Sequence, residues 1–158
     1  MKVKQVLIIL ICLSTIGVKS QNLELQQLQS IIDQKATVFA DSLTKTGWVL
    51  RPELSGKQGD QLYQTFSFGN LTKEKAKALA WLRIHADHDT INQLYYQSPG
   101  IAQFRKVVAQ IKEAGAEKKD VQSIEEQSIS AYYISSDYIF QTISGNNSFT
   151  VMVMTNKQ

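Results

Sequence analysis

Two segments repeat apolar residues at the spacing of an amphipathic helix. In residues 22–46, leucine, isoleucine and phenylalanine recur every three or four positions, with Gln, Asp and Lys between them. The same period runs through residues 101–111, after the pair Ser98–Pro99 and before Gly115. This spacing places apolar side chains along one side of a helix, and Ser–Pro and Gly are typical of helix beginnings and ends. We predict one helix over 22–46 and another that begins at Ser98–Pro99.

Other segments are short and rich in β-branched and aromatic residues, which is typical of strands. The predicted strands or extended segments are 48–54, 62–68, 90–97, 129–135, 138–144 and 149–155. Turn-forming residues at 135–137 and 145–147 separate the last three, so we expect an antiparallel meander at the C-terminus. Residues 55–60 and 116–120 are predicted loops, and the pattern of residues 121–127 fits no single element.

The segment from Thr72 to Ala86 admits two interpretations. Thr72 is a suitable helix cap, and the Ala- and Lys-rich residues after it favour a helix over 72–86. The stretch WLRIHA (81–86), however, alternates apolar and polar side chains, which is the period of a strand. The order of elements is then helix, two strands, helix, strand, helix and three strands. We predict an α+β fold in which an antiparallel or mixed sheet packs on about three amphipathic helices, as a single domain over 21–158.

The first twenty residues have the pattern of a secretory signal peptide. Lys2 and Lys4 precede an apolar run, and small residues lead up to Ser20. The run is shorter than the roughly 20 residues that a membrane-spanning helix needs. We expect cleavage between Ser20 and Gln21 and an exported, secreted or periplasmic protein. Lipidation at Cys12 is the alternative, although Ile11 before it is not the small residue that lipidation requires.

Cleavage would change the charge and cysteine content. The chain has 17 Lys and Arg and 14 Asp and Glu; three of the lysines lie before Gln21, so 14 basic side chains would remain against 14 acidic ones. No stretch concentrates basic residues as nucleic-acid binding requires. The one cysteine also lies in this segment, so disulfides, thiol nucleophiles and Cys-based metal sites would be excluded. We expect neither a nucleic-acid partner nor a membrane span in the mature chain.

Both histidines of the chain fall in the stretch HADHD, residues 85–89. His85, His88, Asp87 and Asp89 are therefore the candidate catalytic or metal-binding residues. A zinc site needs three or four ligands, and the sequence offers no further histidine outside this stretch. The end of a helix followed by a turn would equally explain these residue types. We predict no metal and no cofactor here.

The C-terminal strands carry apolar side chains on both faces. Residues Phe149, Val151 and Val153 alternate with Thr150, Met152 and Met154, whereas a sheet with one face in water alternates apolar and polar residues. One interpretation is that helices cover both faces. The other is that one face stays open and binds a ligand, because tyrosine and methionine offer large, adaptable contacts. The candidate binding residues are Tyr96, Tyr132, Tyr138, Met152 and Met154.

These patterns favour a small, non-catalytic binding module that acts by protein–protein interaction or inhibition. Its partner would be another protein or a second copy of the chain. Two alternatives come from other classes: a metal- or His-dependent hydrolase that uses residues 85–89, and a structural component that self-associates through the sheet. No Gly-x-Ser-x-Gly motif marks a nucleophile, so an enzyme is the less favoured class.

Overall fold

The computed structural model describes residues 22–69, 78–125 and 128–156. The predicted signal peptide and the predicted cap at Thr72 lie outside these residues. The helices are α1 (Leu25–Ile31), α2 (Ala36–Thr44) and α3 (Ile101–Glu113), and a 3₁₀ turn covers Pro52–Leu54. The strands are β1 (Trp48–Leu50), β2 (Gly56–Gln58), β3 (Gln61–Phe68), β4 (Ala80–Asp87), β5 (Thr90–Gln97), β6 (Glu117–Glu125), β7 (Ser128–Ile134), β8 (Tyr138–Ser144) and β9 (Phe149–Thr155).

All nine of these strands form one antiparallel sheet. The strand order is β1-β3-β4-β5-β9-β8-β7-β6, and β2 pairs with β3 beside this series. Strands β7, β8 and β9 are joined by short turns and pair in sequence, which confirms the predicted meander. The α+β class is confirmed as well. Within the described parts of the chain, no helix is long and apolar enough to cross a bilayer.

The helices pack on one face of the sheet, which we call the helix face. Alternate residues of β4 show this clearly, because Leu82 and Ile84 are fully buried whereas Trp81, Arg83 and His85 are only partly so. Side chains of a strand alternate between the two faces. The buried set of the helix face forms one core with the apolar sides of α1, α2 and α3. The opposite face, which carries Trp81, Arg83 and His85, is the open face.

The prediction of one helix over 22–46 is wrong in its middle. The segment is divided into α1 and α2, and Asp33 between them has a positive φ of 66°. The chain leaves the helical path because the Asp33 amide donates to the Ile91 carbonyl at 2.8 Å and the Ile91 amide donates to the Gln34 carbonyl at 2.9 Å. Bonds to β5 therefore replace the helical bonds at this point.

The favoured helix over 72–86 is also wrong for residues 80–86, which belong to β4. The alternative interpretation, a strand over WLRIHA, is confirmed. Strand β4 pairs with β3 on one side and β5 on the other, so its backbone groups are satisfied along both edges. This two-sided pairing and the burial of its apolar side chains outweigh the helix propensity of the preceding alanines and lysines.

Several smaller predictions also need correction. The predicted loop at 55–60 contains β2, and the extended segment predicted over 48–54 ends in the 3₁₀ turn. The predicted loop at 116–120 is mostly the beginning of β6, whose pairing with β7 shifts register twice; such bulges explain why no clean alternation is seen in the sequence. Helix α3 begins at Ile101 with Gly100 at its N-cap. The Ser98 hydroxyl donates to carbonyl oxygens of Gly100 and Phe149, at 3.1 and 3.2 Å, and does not cap the helix.

Candidate functional site

A row of polar and aromatic side chains crosses the open face. Cross-strand pairing aligns one residue from each of seven strands. In order from β3 to β6 they are Thr65, Arg83, Tyr95, Met152, Gln141, Tyr132 and Asp120. Directly paired residues of an antiparallel sheet project to the same face. The row thus brings together side chains that lie far apart in the sequence.

Arg83 is held in place by a chain of hydrogen bonds. Its Nε donates to Thr65 Oγ1 at 2.9 Å, and that hydroxyl donates to the Leu54 carbonyl at 2.7 Å. The guanidinium carbon lies 5.8 Å from the centre of the Tyr63 ring. Among the described residues, no carboxylate oxygen lies within 4.0 Å of the Arg83 guanidinium. The group is therefore a positioned, half-buried cation without a described counter-charge.

Aromatic rings surround this cation. The His85 ring stacks on Tyr63 with centres 6.1 Å apart and lies 5.5 Å from the Tyr95 ring. Burial, with a smaller effect of the Arg83 charge, lowers the pKa of His85 below its ordinary value of 6.5. Burial raises the pKa of Tyr95. At neutral pH both rings are therefore uncharged, and Arg83 is the cation at the centre of the group.

These side chains line a groove of about 470 Å³, which we call the Arg83 groove. Its lining residues are Leu54, Thr65, Trp81, Arg83, His85, Tyr95, Gln97 and Thr150. A second hollow of about 460 Å³ shares Leu54, Arg83 and His85 and continues towards Tyr63 and Lys57. Volumes of this size are typical of sites for small ligands or for one side chain of a partner.

Three of the five predicted binding residues project from the open face. Met152 and Tyr132 belong to the same row as Arg83, and Met154 pairs with Gln93. The Gln93 amide nitrogen lies 3.0 Å from Met152 Sδ and 2.9 Å from the Tyr95 hydroxyl. Met152 is 5% exposed, so it forms part of the base of the face, whereas Met154 and Tyr132 are half-buried.

The other two predicted binding residues lie on the helix face. Tyr96 is fully buried, its hydroxyl accepts a hydrogen bond from the Leu23 amide at 3.2 Å, and burial raises its pKa to about 12. Tyr138 pairs with Thr155 and contacts the buried Phe140 ring. The structure therefore separates these two tyrosines from Tyr132, Met152 and Met154.

The stretch HADHD is divided between the open face and a hairpin turn. His85 lies in the Arg83 groove, whereas His88 and Asp89 form the two-residue turn between β4 and β5, both with positive φ (47° and 68°). Two positive φ values are the geometry of the common tight hairpin. His88 Nδ1 contacts Asp87 Oδ1 at 2.7 Å, and both side chains are largely exposed.

Asp89 connects this turn to the start of α2. One carboxylate oxygen accepts a hydrogen bond from the Thr37 amide at 3.1 Å, and the other accepts from the Thr37 hydroxyl at 3.0 Å. The Asp89 carbonyl also accepts from the Ala36 amide at 2.8 Å. Helix N-termini carry unpaired amides and favour a negative charge. Asp89 therefore caps α2 from a distant part of the chain.

The arrangement does not assemble the four HADHD residues into one reactive centre. Within the described ranges, no group of three or more His, Cys, Asp or Glu side chains is placed to hold a metal ion. His85 has no carboxylate within 4.0 Å in those ranges, so it lacks the orienting partner that a general base usually has. What the groove offers is a fixed cation, flat rings and uncharged hydrogen-bonding groups.

The sequence patterns missed the most important residues of this site: Arg83, Tyr95, Trp81 and Tyr63. The alternation in WLRIHA was the signal that could have found the first of them. Read as a strand, that stretch places Trp81, Arg83 and His85 together on one face. Tyr63 and Tyr95 join them only through strand pairing, which no local pattern reveals.

Comparison with known proteins adds no family to this picture. No protein-family model, no curated protein and no solved structure matches the chain.

Proposed function

We propose that the protein is a small exported binding module that acts without catalysis, by holding a partner protein against the open face. The observation that carries the proposal is the Arg83 groove. A charged group that is withdrawn from water without a partner is costly, and aromatic and Arg side chains are enriched where proteins bind one another. A partner side chain or chain end of modest size would fill the groove.

The contrast between the two faces supports this surface over others. The helix face is occupied by α1, α2 and α3, which pack into a continuous core. Among the described residues, the three helices leave the open face uncovered, and the 3₁₀ turn Pro52–Leu54 contacts it only at the β3 edge, through Thr65. This face carries rings from three neighbouring strands, on Tyr63, Trp81 and Tyr95. Aromatic side chains grouped around an arginine are typical of surfaces that bind other proteins.

Site-specific photo-crosslinking tests the proposal. A benzophenone amino acid at position 81 would lie in the groove, and the same group in place of Val38, 61% exposed on α2, is the matched control. Expressed in its native host, the first variant should form one dominant crosslinked species, and excess unlabelled protein should compete it away. Equal crosslinking from both positions, or none from position 81, would refute the open face as the binding surface.

Export is a separate part of the proposal and needs its own measurement. We expect the exported protein to begin at Gln21, which N-terminal sequencing of secreted or periplasmic material would show. An intact N-terminus on protein recovered from the cytoplasm would contradict export.

Self-association is a second candidate, favoured by an exposed apolar patch on the helix face, at the end of the sheet that contains β6 and β7. Ile101, Val121 and Ile129 are 44%, 50% and 56% exposed, and they line a hollow with Phe149. Sedimentation of the wild-type protein and of a Val121→Asp, Ile129→Asp double variant tests this candidate. A dimer that the double variant abolishes would support it, and a wild-type monomer at high concentration would refute it.

A further inference from the structure

The Arg83 guanidinium is prepared for an anion. Its Nε is engaged by Thr65, which fixes the plane of the group, and no described protein atom accepts a hydrogen bond from its terminal nitrogens. Those two nitrogens can donate in parallel to the two oxygens of a carboxylate, an arrangement that is stronger than a neutral hydrogen bond and selective for planar anions. The charged side chains nearest to Arg83 also favour a negatively charged ligand.

Charges beside the groove leave it positive overall. Lys57 and Glu53 line the adjoining hollow, and the Glu53 carboxylate lies 4.0 Å from a terminal nitrogen of Arg51. Arg51 in turn donates through Nε to Ser67 at 2.8 Å. Glu53 is thus balanced by Arg51, whereas Arg83 and Lys57 have no described carboxylate within 4.0 Å.

The walls of the groove suit a flat ring. Trp81, His85 and Tyr95 line it, and the His85 ring already lies close to Tyr63 and Tyr95 in stacked or tilted contacts. Aromatic rings gain energy from such contacts in addition to the area they bury. A volume of about 470 Å³ holds one ring and a short chain.

We infer that the Arg83 groove binds a carboxylate that lies within a few bonds of an aromatic ring, with the carboxylate on Arg83 and the ring against Trp81, His85 or Tyr95. This inference rests on the proposed function of the open face. The same chemistry has two sources: the free C-terminus of a partner that ends in an aromatic residue, and a small aryl carboxylate.

Matched pairs of probes test the inference by calorimetry and by the NMR signal of the Trp81 indole N–H, assigned with a Trp81→Phe variant. The small pair is 3-phenylpropanoate and 3-phenylpropanamide; the peptide pair is acetyl-Gly-Gly-Phe with a free or an amidated C-terminus. We expect a carboxylate to bind at least about tenfold more tightly than its amide, because charge-assisted bonds are about twice as strong as neutral ones. The pair that shows the preference identifies the source.

Variants show whether Arg83 causes the preference for a carboxylate over its amide. Arg83→Gln should remove the preference for the carboxylate, Arg83→Lys should keep part of it, and Arg105→Gln, an exposed site on α3, should leave it unchanged. A circular-dichroism melting curve for each variant shows that it is folded. Equal affinity for acid and amide, or no binding of any probe up to about 10 mM, would overturn the inference. Crosslinking at position 81 would still be seen if the open face binds a partner by other means, so the two failures are distinguishable.

Discussion

Replacing Asp89 perturbs both the β4–β5 turn and the start of α2. The Asp89 carboxylate accepts two hydrogen bonds from Thr37, at 3.1 and 3.0 Å. Loss of a helix cap costs about 0.5–2 kcal/mol. The positive φ of 68° adds a second cost for alanine, about 1 kcal/mol, because aspartate, asparagine and glycine tolerate this conformation better. We therefore expect Asp89→Ala to lower the free energy of unfolding by about 1.5–3 kcal/mol.

Two further variants separate these contributions. Asp89→Gly removes the cap and relieves the backbone, so we expect a loss of about 1–2 kcal/mol. Asp89→Asn keeps an acceptor and tolerates the positive φ, so its loss should be below about 1 kcal/mol. Asp87→Ala, at the end of β4 beside the same turn, is the matched control; its exposed contact with His88 contributes about 0–1 kcal/mol.

Urea unfolding measures these differences in the free energy of unfolding. It is followed by far-ultraviolet circular dichroism, and one value for the dependence of the free energy on urea concentration is used for all variants. The order of stability should be wild type, Asn, Gly and Ala at position 89. A loss in the asparagine variant as large as in the alanine variant would contradict this account, because asparagine keeps an acceptor oxygen for Thr37 and tolerates the positive φ. Equal losses for glycine and alanine would refute the argument from φ.

Three further predictions concern the groove and the core. Burial lowers the pKa of His85 below 6.5, so as the pH drops the unfolded chain binds a proton at His85 before the folded chain does. The free energy of unfolding should therefore fall as the pH drops through 6.5. Urea titrations of His85→Gln should lack that part of the decline, and an unchanged decline in this variant would disprove the prediction. Leu82→Ala should cost about 2–5 kcal/mol because Leu82 is 0% exposed, whereas Ile129→Ala, at a 56% exposed site, should cost less than about 1 kcal/mol in the same assay. Met152→Lys should lower the free energy of unfolding by about 2 kcal/mol or more, because Met152 is 5% exposed. Met154→Lys should lower it by less than about 1 kcal/mol. Equal shifts of the melting temperature in the two variants would contradict the burial of Met152 and the partial exposure of Met154.

Local patterns were sufficient for the C-terminal meander and for α3 from Ile101 onward, although not for the start of this helix, which they place at Ser98–Pro99. In both, the hydrophobic period, the turn residues and the final packing agree. They were not sufficient between Ile32 and Ala36, where the helical period continues without a glycine or proline. The chain bends there because of hydrogen bonds with Ile91, a partner that no local pattern indicates.

The candidate site depended even more on distant pairing. The sequence drew attention to His85 and to the methionines of β9, and these do lie on the open face. The central residue, Arg83, was recognised only as a polar position in an ambiguous segment. Its importance comes from Thr65 on β3 and Tyr95 on β5, which strand register places on either side of it.

The strand order also determines which strand pairing of the sheet closes the longest loop. On the path from β3 to β5, and again from β6 to β9, each strand pairs with its neighbour in the chain. The pairing of β5 with β9 joins these two halves, and α3 with three strands lies between them in the sequence. Closing a long loop costs more entropy than closing a short one, and such distant contacts slow folding. The row that carries Arg83, Tyr95 and Met152 crosses this boundary, so the open face becomes complete only when the two halves have joined.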